Sequence, residues 1–205
     1  MNMAKKSVEK RQLILRKALE LFIRKGFHAV TMSDIVEECQ ISRGGLYRYF
    51  SSTDDIFREL LRANAVHTQE IFEIMMEAGQ PYREIMELFL SGQRAELSQI
   101  NNSMMTAAYE FFLSHKSKQD REFLQQQYIQ SAAFLSRLIQ YGNERKESSV
   151  DSPDAAANQL LIFLEGLRVL GLSVDLTDEF LEEQFKWFQN TLFGGNPPYE
   201  NNPLC

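Results

Sequence analysis

The sequence predicts an all-α protein of about nine helices. Apolar residues recur at spacings of three and four along the chain, and no stretch sustains the period-two alternation of a half-buried strand. Helix punctuation agrees with this: Ser, Thr or Pro opens successive apolar stripes, and Gly or a polar run closes them.

Ile14, Ala18, Leu21 and Phe22 make one face of a first helix, which Lys25-Gly26 ends. Met32, Ile35, Val36 and Cys39 face a short second helix, with Thr31 and Asp34 spaced as a capping box. After Ile41, Ser42 caps a third short helix whose inner side is Leu46 and Phe50. Thr53 is expected to cap a long fourth helix whose first turn, Asp54-Asp55, suits the positive helix end. That helix runs to about Ala78, where Gly79 and Pro81 stop it. Three further patterns occupy 81–99, 100–115 and 118–146. Residues 146–151 form a polar loop; Ser152-Pro153 opens the eighth helix and Thr177-Asp178-Glu179 the ninth. The Gly/Pro/Asn-rich segment 194–205 reads as a disordered tail.

Composition sets outer bounds. At 205 residues, 44% hydrophobic and 24% charged, the chain has enough apolar material for a packed core. Its two cysteines, Cys39 and Cys205, make no disulfide framework, and MNMAKKSVEK lacks the apolar core of a signal peptide. A cytoplasmic protein without a membrane span is expected. The net charge of −6 is unevenly spread. Residues 1–62 hold twelve Lys/Arg against eight Asp/Glu, while residues 63–205 hold ten against twenty. A basic head on an acidic body is the pattern of a nucleic-acid reader with a second, non-nucleic role.

Residues 31–50, TMSDIVEECQISRGGLYRYF, carry the sharpest signal. Two short amphipathic helices joined by a tight turn, behind a longer helix, describe a tri-helical helix-turn-helix. With Leu46 and Phe50 turned inward, Arg43, Gly44, Gly45, Tyr47, Arg48 and Tyr49 are left to face a DNA groove. Paired glycines in a short helix cost about 1 kcal/mol each relative to Ala, a cost that close approach to DNA would explain. Enzyme chemistry finds no comparable pattern. His28, His67 and His115 are far apart, and no H-E-x-x-H, G-x-S-x-G or phosphate-loop motif occurs, so no metal or cofactor is expected.

Here the chain resembles the tetracycline-repressor (TetR) family. Thr31-x-x-Asp34-Ile35, the Ile41-Ser42 turn and Gly44-x-Leu46-Tyr47-x-Tyr49-Phe50 match that family's N-terminal signature. Segments 53–61 and 159–174 are similar to the start of its fourth helix and to its eighth. Two positions depart: Cys39-Gln40 stands where Ala-Gly is usual, and Ser51-Ser52-Thr53 where lysines are frequent.

The resemblance implies a DNA-binding domain over 1–53 and an effector-binding and dimerisation domain over 54–193. It implies phosphate contacts from Thr31, Ser33, Tyr47, Tyr49 and Thr53, base contacts from Arg43 and Arg48, and a mobile basic arm of Lys5, Lys6, Lys10 and Arg11. It implies a small hydrophobic effector among Phe72, Met75, Met76, Met86, Phe89, Met104, Met105, Tyr109, Phe112, Tyr128 and Phe134. Glu110 would be solvated or meet a cationic ligand.

Helices eight and nine carry apolar residues on more than one side and so need more than one cover. The interface with a second copy is expected at Phe163, Leu167, Leu170, Gly171, Val174, Leu181, Phe185 and Phe188. The resulting expectation is a homodimeric, effector-released repressor on a pseudo-palindromic operator. The alternative is a ligand or lipid carrier on the same fold without DNA binding.

Overall fold

A computed structural model describes residues 3–193. Among them are nine α-helices and one 3-10 turn, and no strand. The helices are α1 Met3–Lys25, α2 Met32–Cys39, α3 Arg43–Tyr47, α4 Thr53–Glu77, α5 Tyr82–Ser98, α6 Met104–Ser114, α7 Lys118–Glu144, α8 Pro153–Gly171 and α9 Asp178–Leu192. The expected disordered tail, 194–205, lies outside the described residues. Residues 100–115, read as one helix, are a 3-10 turn at Ile100–Asn102 followed by α6, which Ser103 caps by accepting from the Met105 amide.

The chain folds as two compact units. One comprises residues up to Val66 together with Asn101–Arg121; the other is formed by His67–Ile100 and the chain from Glu122 on. The first unit therefore holds α1–α3, the start of α4 and all of α6. Its core is Ile14, Ala18, Leu21 and Phe22 of α1, Ile35 of α2, Leu46 of α3, Ile56 and Phe57 of α4, and Ala107, Ala108 and Phe111 of α6. Full burial of each large side chain contributes roughly 1.5–3 kcal/mol. Phe27 joins the cluster, its ring 5.0 Å from both Phe57 and Phe111.

In the second unit α5 packs against α8 and α9. Tyr82, Ile85, Met86, Phe89 and Leu90 of α5 are buried, as are Leu160, Leu164 and Leu167 of α8 and Leu181, Phe185, Phe188 and Leu192 of α9. Gly142 is glycine because the Tyr82 ring lies over it: an added Cβ would stand 2.6 Å from Tyr82 Cγ. Burial holds that phenol well above its ordinary pKa. Arg168 ties α8 to α5, donating to Gln93 at 2.6 Å and Glu96 at 3.2 Å.

Four helix starts follow the expected openings: Thr31, Ser42, Ser152 and Thr177 each accept from the amide three residues on. The start of α4 does not. Ser52, not Thr53, accepts from the Asp55 amide at 3.1 Å, and Thr53 is the first residue inside α4. The basic arm is also corrected. Lys5, Lys6, Lys10 and Arg11 are part of α1, whose helix begins at Met3, and Arg11 pairs with Glu59 while lying over the Phe50 ring.

Gln40 takes the left-handed conformation, φ 52° and ψ 45°, that favours glycine. Its amide and that of Ile41 close onto Glu37 and Val36, so the α2–α3 turn is a Schellman-type ending made with a side chain present. Left-handed backbone costs a non-glycine residue about 1–2 kcal/mol. Gln40→Gly is therefore expected to raise stability by about 0.5–1 kcal/mol net of unfolded-state entropy, seen as a rise in Tm of about 1–4 °C.

The Asp34 carboxylate accepts from Lys25 at 2.7 Å and from the Thr31 amide at 2.8 Å, and these partners hold it well below the usual carboxylate range. A carboxyl whose pKa is lower folded than unfolded stabilises the fold above its unfolded value, about 4, and loses that contribution as pH falls. Melting curves from pH 7 downward should show Tm declining below about pH 4, and Asp34→Asn should decline less steeply from a lower starting Tm.

Candidate nucleic-acid interface

α3 has only five residues, too short to be stable alone, and is held from both sides. Ser42 caps it, Leu46 is fully buried beneath it, and Phe50 follows as a second anchor at 4% exposure. With the inner side fixed, the outer side is set. Arg43, Gly44, Tyr47 and Arg48 are exposed, and Tyr47 keeps 52% of its surface in solvent. Thr31 and Ser33 are exposed beside them on α2, and Arg43 Nη2 donates to Ser33 Oγ at 3.0 Å across the turn. The arrangement presents hydroxyls and guanidiniums on one rim, the donor set that meets phosphate oxygens and guanine edges.

The two glycines separate. A Cβ on Gly45 would meet Ser42 Oγ at 3.1 Å and Lys10 Nζ at 3.4 Å, so the chain's own packing accounts for it. A Cβ on Gly44 would meet nothing within 4 Å beyond its chain neighbours and its own helix backbone, and its φ is ordinary. The fold does not ask for glycine at 44.

Tyr49 departs from its expected place. It is half-buried, packs against the core of its unit, and its hydroxyl accepts from Ser7 Oγ at 3.3 Å, because Leu46 and Phe50 turn that side of the chain inward. Thr53 is half-buried at the start of α4. Lys10, expected in the basic arm, is an α1 residue whose ammonium stands beside Gly45. From Tyr47 and Arg48 a groove of about 520 Å³ runs past Ser51 to Arg58 and Arg62, with Asp55 and Glu59 also lining it.

The expected effector residues fall in different places. Phe72, Phe89 and Phe134 meet in the second unit, with ring centroids 5.8–6.4 Å apart. Met75 and Met76 are half-buried, and Met86 is fully buried there. Met104, Met105 and Phe112 instead pack against the core of the first unit, and Tyr109 stands 6.4 Å from Phe112. Tyr128 is exposed and donates to Asn158 Oδ1 at 2.6 Å. Glu110 is half-buried and already engaged: its Oε2 accepts from the amides of Phe27 and His28 at 2.7 and 3.1 Å.

On the last helices the expected interface residues divide. Leu167, Gly171, Leu181, Phe185 and Phe188 are buried within their own subunit, and the Phe163 ring meets Phe185 edge to face and Phe188 at a tilt. The stripe read as partner-facing is the inward one. Leu170 and Val174 are exposed, and with them Ile162 at 64%, Val169 at 55% and Phe180. Gly166 lies between these α8 residues in sequence with nothing within 4 Å of an added Cβ.

A tri-helical head offering hydroxyls and arginines from α2 and α3 defines a helix-turn-helix DNA-binding protein. Comparison with known proteins makes this specific. The model for "Bacterial regulatory proteins, tetR family" matches residues 14–60, and that for "Tetracyclin repressor-like, C-terminal domain" matches residues 85–181. The HTH-type transcriptional regulator YfiR of Bacillus subtilis, itself uncharacterized, is 30% identical over 145 residues, 70% of each chain. The chain belongs to the tetR family of bacterial regulatory proteins; it is a transcriptional regulator and not an enzyme.

Solved structures share the fold. Reduced NemR of Escherichia coli has a TM-score of 0.73 at 17% identity, covering 89% of this chain and 97% of its own. A putative transcriptional regulator from Saccharomonospora viridis, solved in complex with choline, has a TM-score of 0.70 at 20% identity, covering 87% and 94%. Among the described residues no helix is long and apolar enough to cross a membrane, and no group of three or more His, Cys, Asp or Glu is placed to hold a metal ion.

The glycine contrast yields a test. Gly44→Ala should raise helix stability by about 0.5–1 kcal/mol and at the same time weaken binding to cognate DNA. Arg48→Ala should cost about 1–3 kcal/mol and relax preference at one base pair, whereas Tyr47→Phe should weaken all sequences alike. Mobility-shift titrations on single-base variants of a selected duplex read all three.

Proposed function

We propose that the protein is a homodimeric repressor that reads a pseudo-palindromic operator and is released by a small organic effector. The observation that carries this reading is the exposed rim of Thr31, Ser33, Arg43, Gly44, Tyr47 and Arg48, built on an anchored α3 and including a glycine for which the fold gives no internal reason. Arg43 and Arg48 take base edges, guanine above all; Thr31, Ser33 and Tyr47 take phosphates. Lys10 adds a cation beside α3, and the hydroxyls of Ser51 and Thr53 stand in for the lysines frequent in relatives. Tyr49 supports the rim from within.

In function the reading part is 1–53 and the regulatory part 54–193, even though α6 folds with the head. The effector is a small, largely apolar molecule held in the second unit near Phe72, Met75, Met76, Phe89 and Phe134. The choline bound by the Saccharomonospora viridis neighbour supports a small organic ligand for this fold. The dimer forms through α8 and α9 on the face of Ile162, Gly166, Val169, Leu170 and Val174, where solvent-exposed apolar residues flank a glycine that allows close helix approach. Its setting is the cytoplasm.

Enrichment of duplexes from a random pool by the purified protein tests the reading. A two-fold-symmetric motif, bound with steep salt dependence as counterions are released, is expected. Absence of any enriched duplex at low salt would favour the carrier alternative. Ile162→Arg and Gly166→Arg should each convert dimer to monomer in sedimentation, with intact helix content and loss of operator binding. If both variants stay dimeric, the interface lies elsewhere.

A further inference from the structure

The reading head is completed by a carboxylate that arrives from far along the chain. Past the end of α1, Gly26 turns left-handed at φ +76°, and the next two amides, of Phe27 and His28, point to one spot. Successive N–H groups after such a reversal make a small anion cup. Glu110 of α6 fills it: its Oε2 accepts from Phe27 at 2.7 Å and from His28 at 3.1 Å.

Gly26 is shaped to the same purpose. Its φ already favours glycine, and a Cβ there would stand 2.6 and 2.8 Å from the two Glu110 carboxylate oxygens. Around this contact α6 packs against α1 through Ala107 and Ala108, both fully buried, while Phe111 meets Phe27 edge to face.

The gripped turn is the one that aims α2. The Val30 amide closes onto Phe27 O at 3.3 Å, Thr31 caps α2, and Lys25 reaches back to Asp34 at 2.7 Å. Arg43 then joins α3 to Ser33 of α2. A displacement of the α1–α2 turn is passed on through these bonds to the exposed rim.

From this geometry we infer that Glu110 is a positioning residue for operator recognition: through the Phe27–His28 amide cup, α6 sets the attitude of α2 and α3 without touching DNA. The inference rests on the reading of residues 31–48 as the operator face. Because α6 lies in the stretch matched by the family's C-terminal domain model, the contact makes a regulatory-domain residue part of the reading head.

The experiment uses the full-length protein and a duplex enriched by the wild type. Glu110→Ala is expected to weaken binding by about tenfold at 20 °C, well below its melting point, with the salt slope unchanged because no phosphate contact is lost. Glu110→Gln, which keeps an acceptor oxygen in the same place without the charge, is expected to fall between them and serves if the alanine variant does not fold. Hydrogen exchange at the Phe27 and His28 amides should quicken in step with the loss of affinity.

A purely structural role would lower the melting temperature and leave the affinity of the folded dimer within about twofold of wild type. That result overturns the inference, as does a salt slope shifted by one or more, which would mean lost phosphate contacts. Failure of the wild type to enrich any duplex would be a different outcome: it removes the operator reading itself, and the premise with it.

Discussion

The molecule depends on the seating of a helix too short to stand by itself. Five residues of α3 gain almost nothing from their own backbone bonds, because nucleation costs about as much as so few bonds return. What holds them is Leu46 and Phe50 sunk into a core made by α1, α2, α4 and α6. Everything that follows is a consequence of that seating. With the apolar side spent, Arg43, Gly44, Tyr47 and Arg48 have only one direction left, and the exposed rim proposed to read DNA is the complement of the core.

Polar contacts then refine what burial sets. The capping box at Thr31, the Lys25–Asp34 pair and the Glu110 grip all act on the seventeen residues between the end of α1 and the start of α3. A second set ties α4 and the α6–α7 junction together. His115 Nε2 donates to Asp54 at 3.0 Å, and Arg58 donates at 2.7 Å to buried Asp120, which in turn accepts from Ser117. The Ser117 hydroxyl and the Arg58 guanidinium hold the Asp120 carboxyl below its ordinary value. A buried carboxylate satisfied in this way is costly to break, because Asp120 without Arg58 would be a buried charge short of its cation.

The helices, their order and most of their caps were legible because they are local: period, cap and glycine all lie within a few residues of one another. Ser52 against Thr53 shows the limit of such reading, since adjacent hydroxyls offer the same cap and only the backbone path chooses between them. Non-local features were not legible. Glu110 looks like any helix-surface acid until the amides of Phe27 and His28, over eighty positions earlier, are brought to it. On α8 and α9, apolar stripes on two sides were visible, but which stripe turns inward is decided by α5. Leu167 and Phe185 therefore point home, and Ile162 and Val169 point away. The departure at Gln40 was visible in sequence; that it keeps the left-handed turn regardless was visible only in the fold.

That α6 folds with α1–α3 has a bearing on how such regulators are built and rebuilt. The N-terminal family match, which ends at residue 60, invites a cut there, as though the reader were a removable module. A graft made there would leave behind Ala107, Ala108 and Phe111, exposing Phe27, Phe57 and the vacant amides of the turn to water. Recombination between relatives therefore has to carry two separated stretches of gene together, and new operator preferences arise more readily from point changes on the outer rim than from exchange of whole heads.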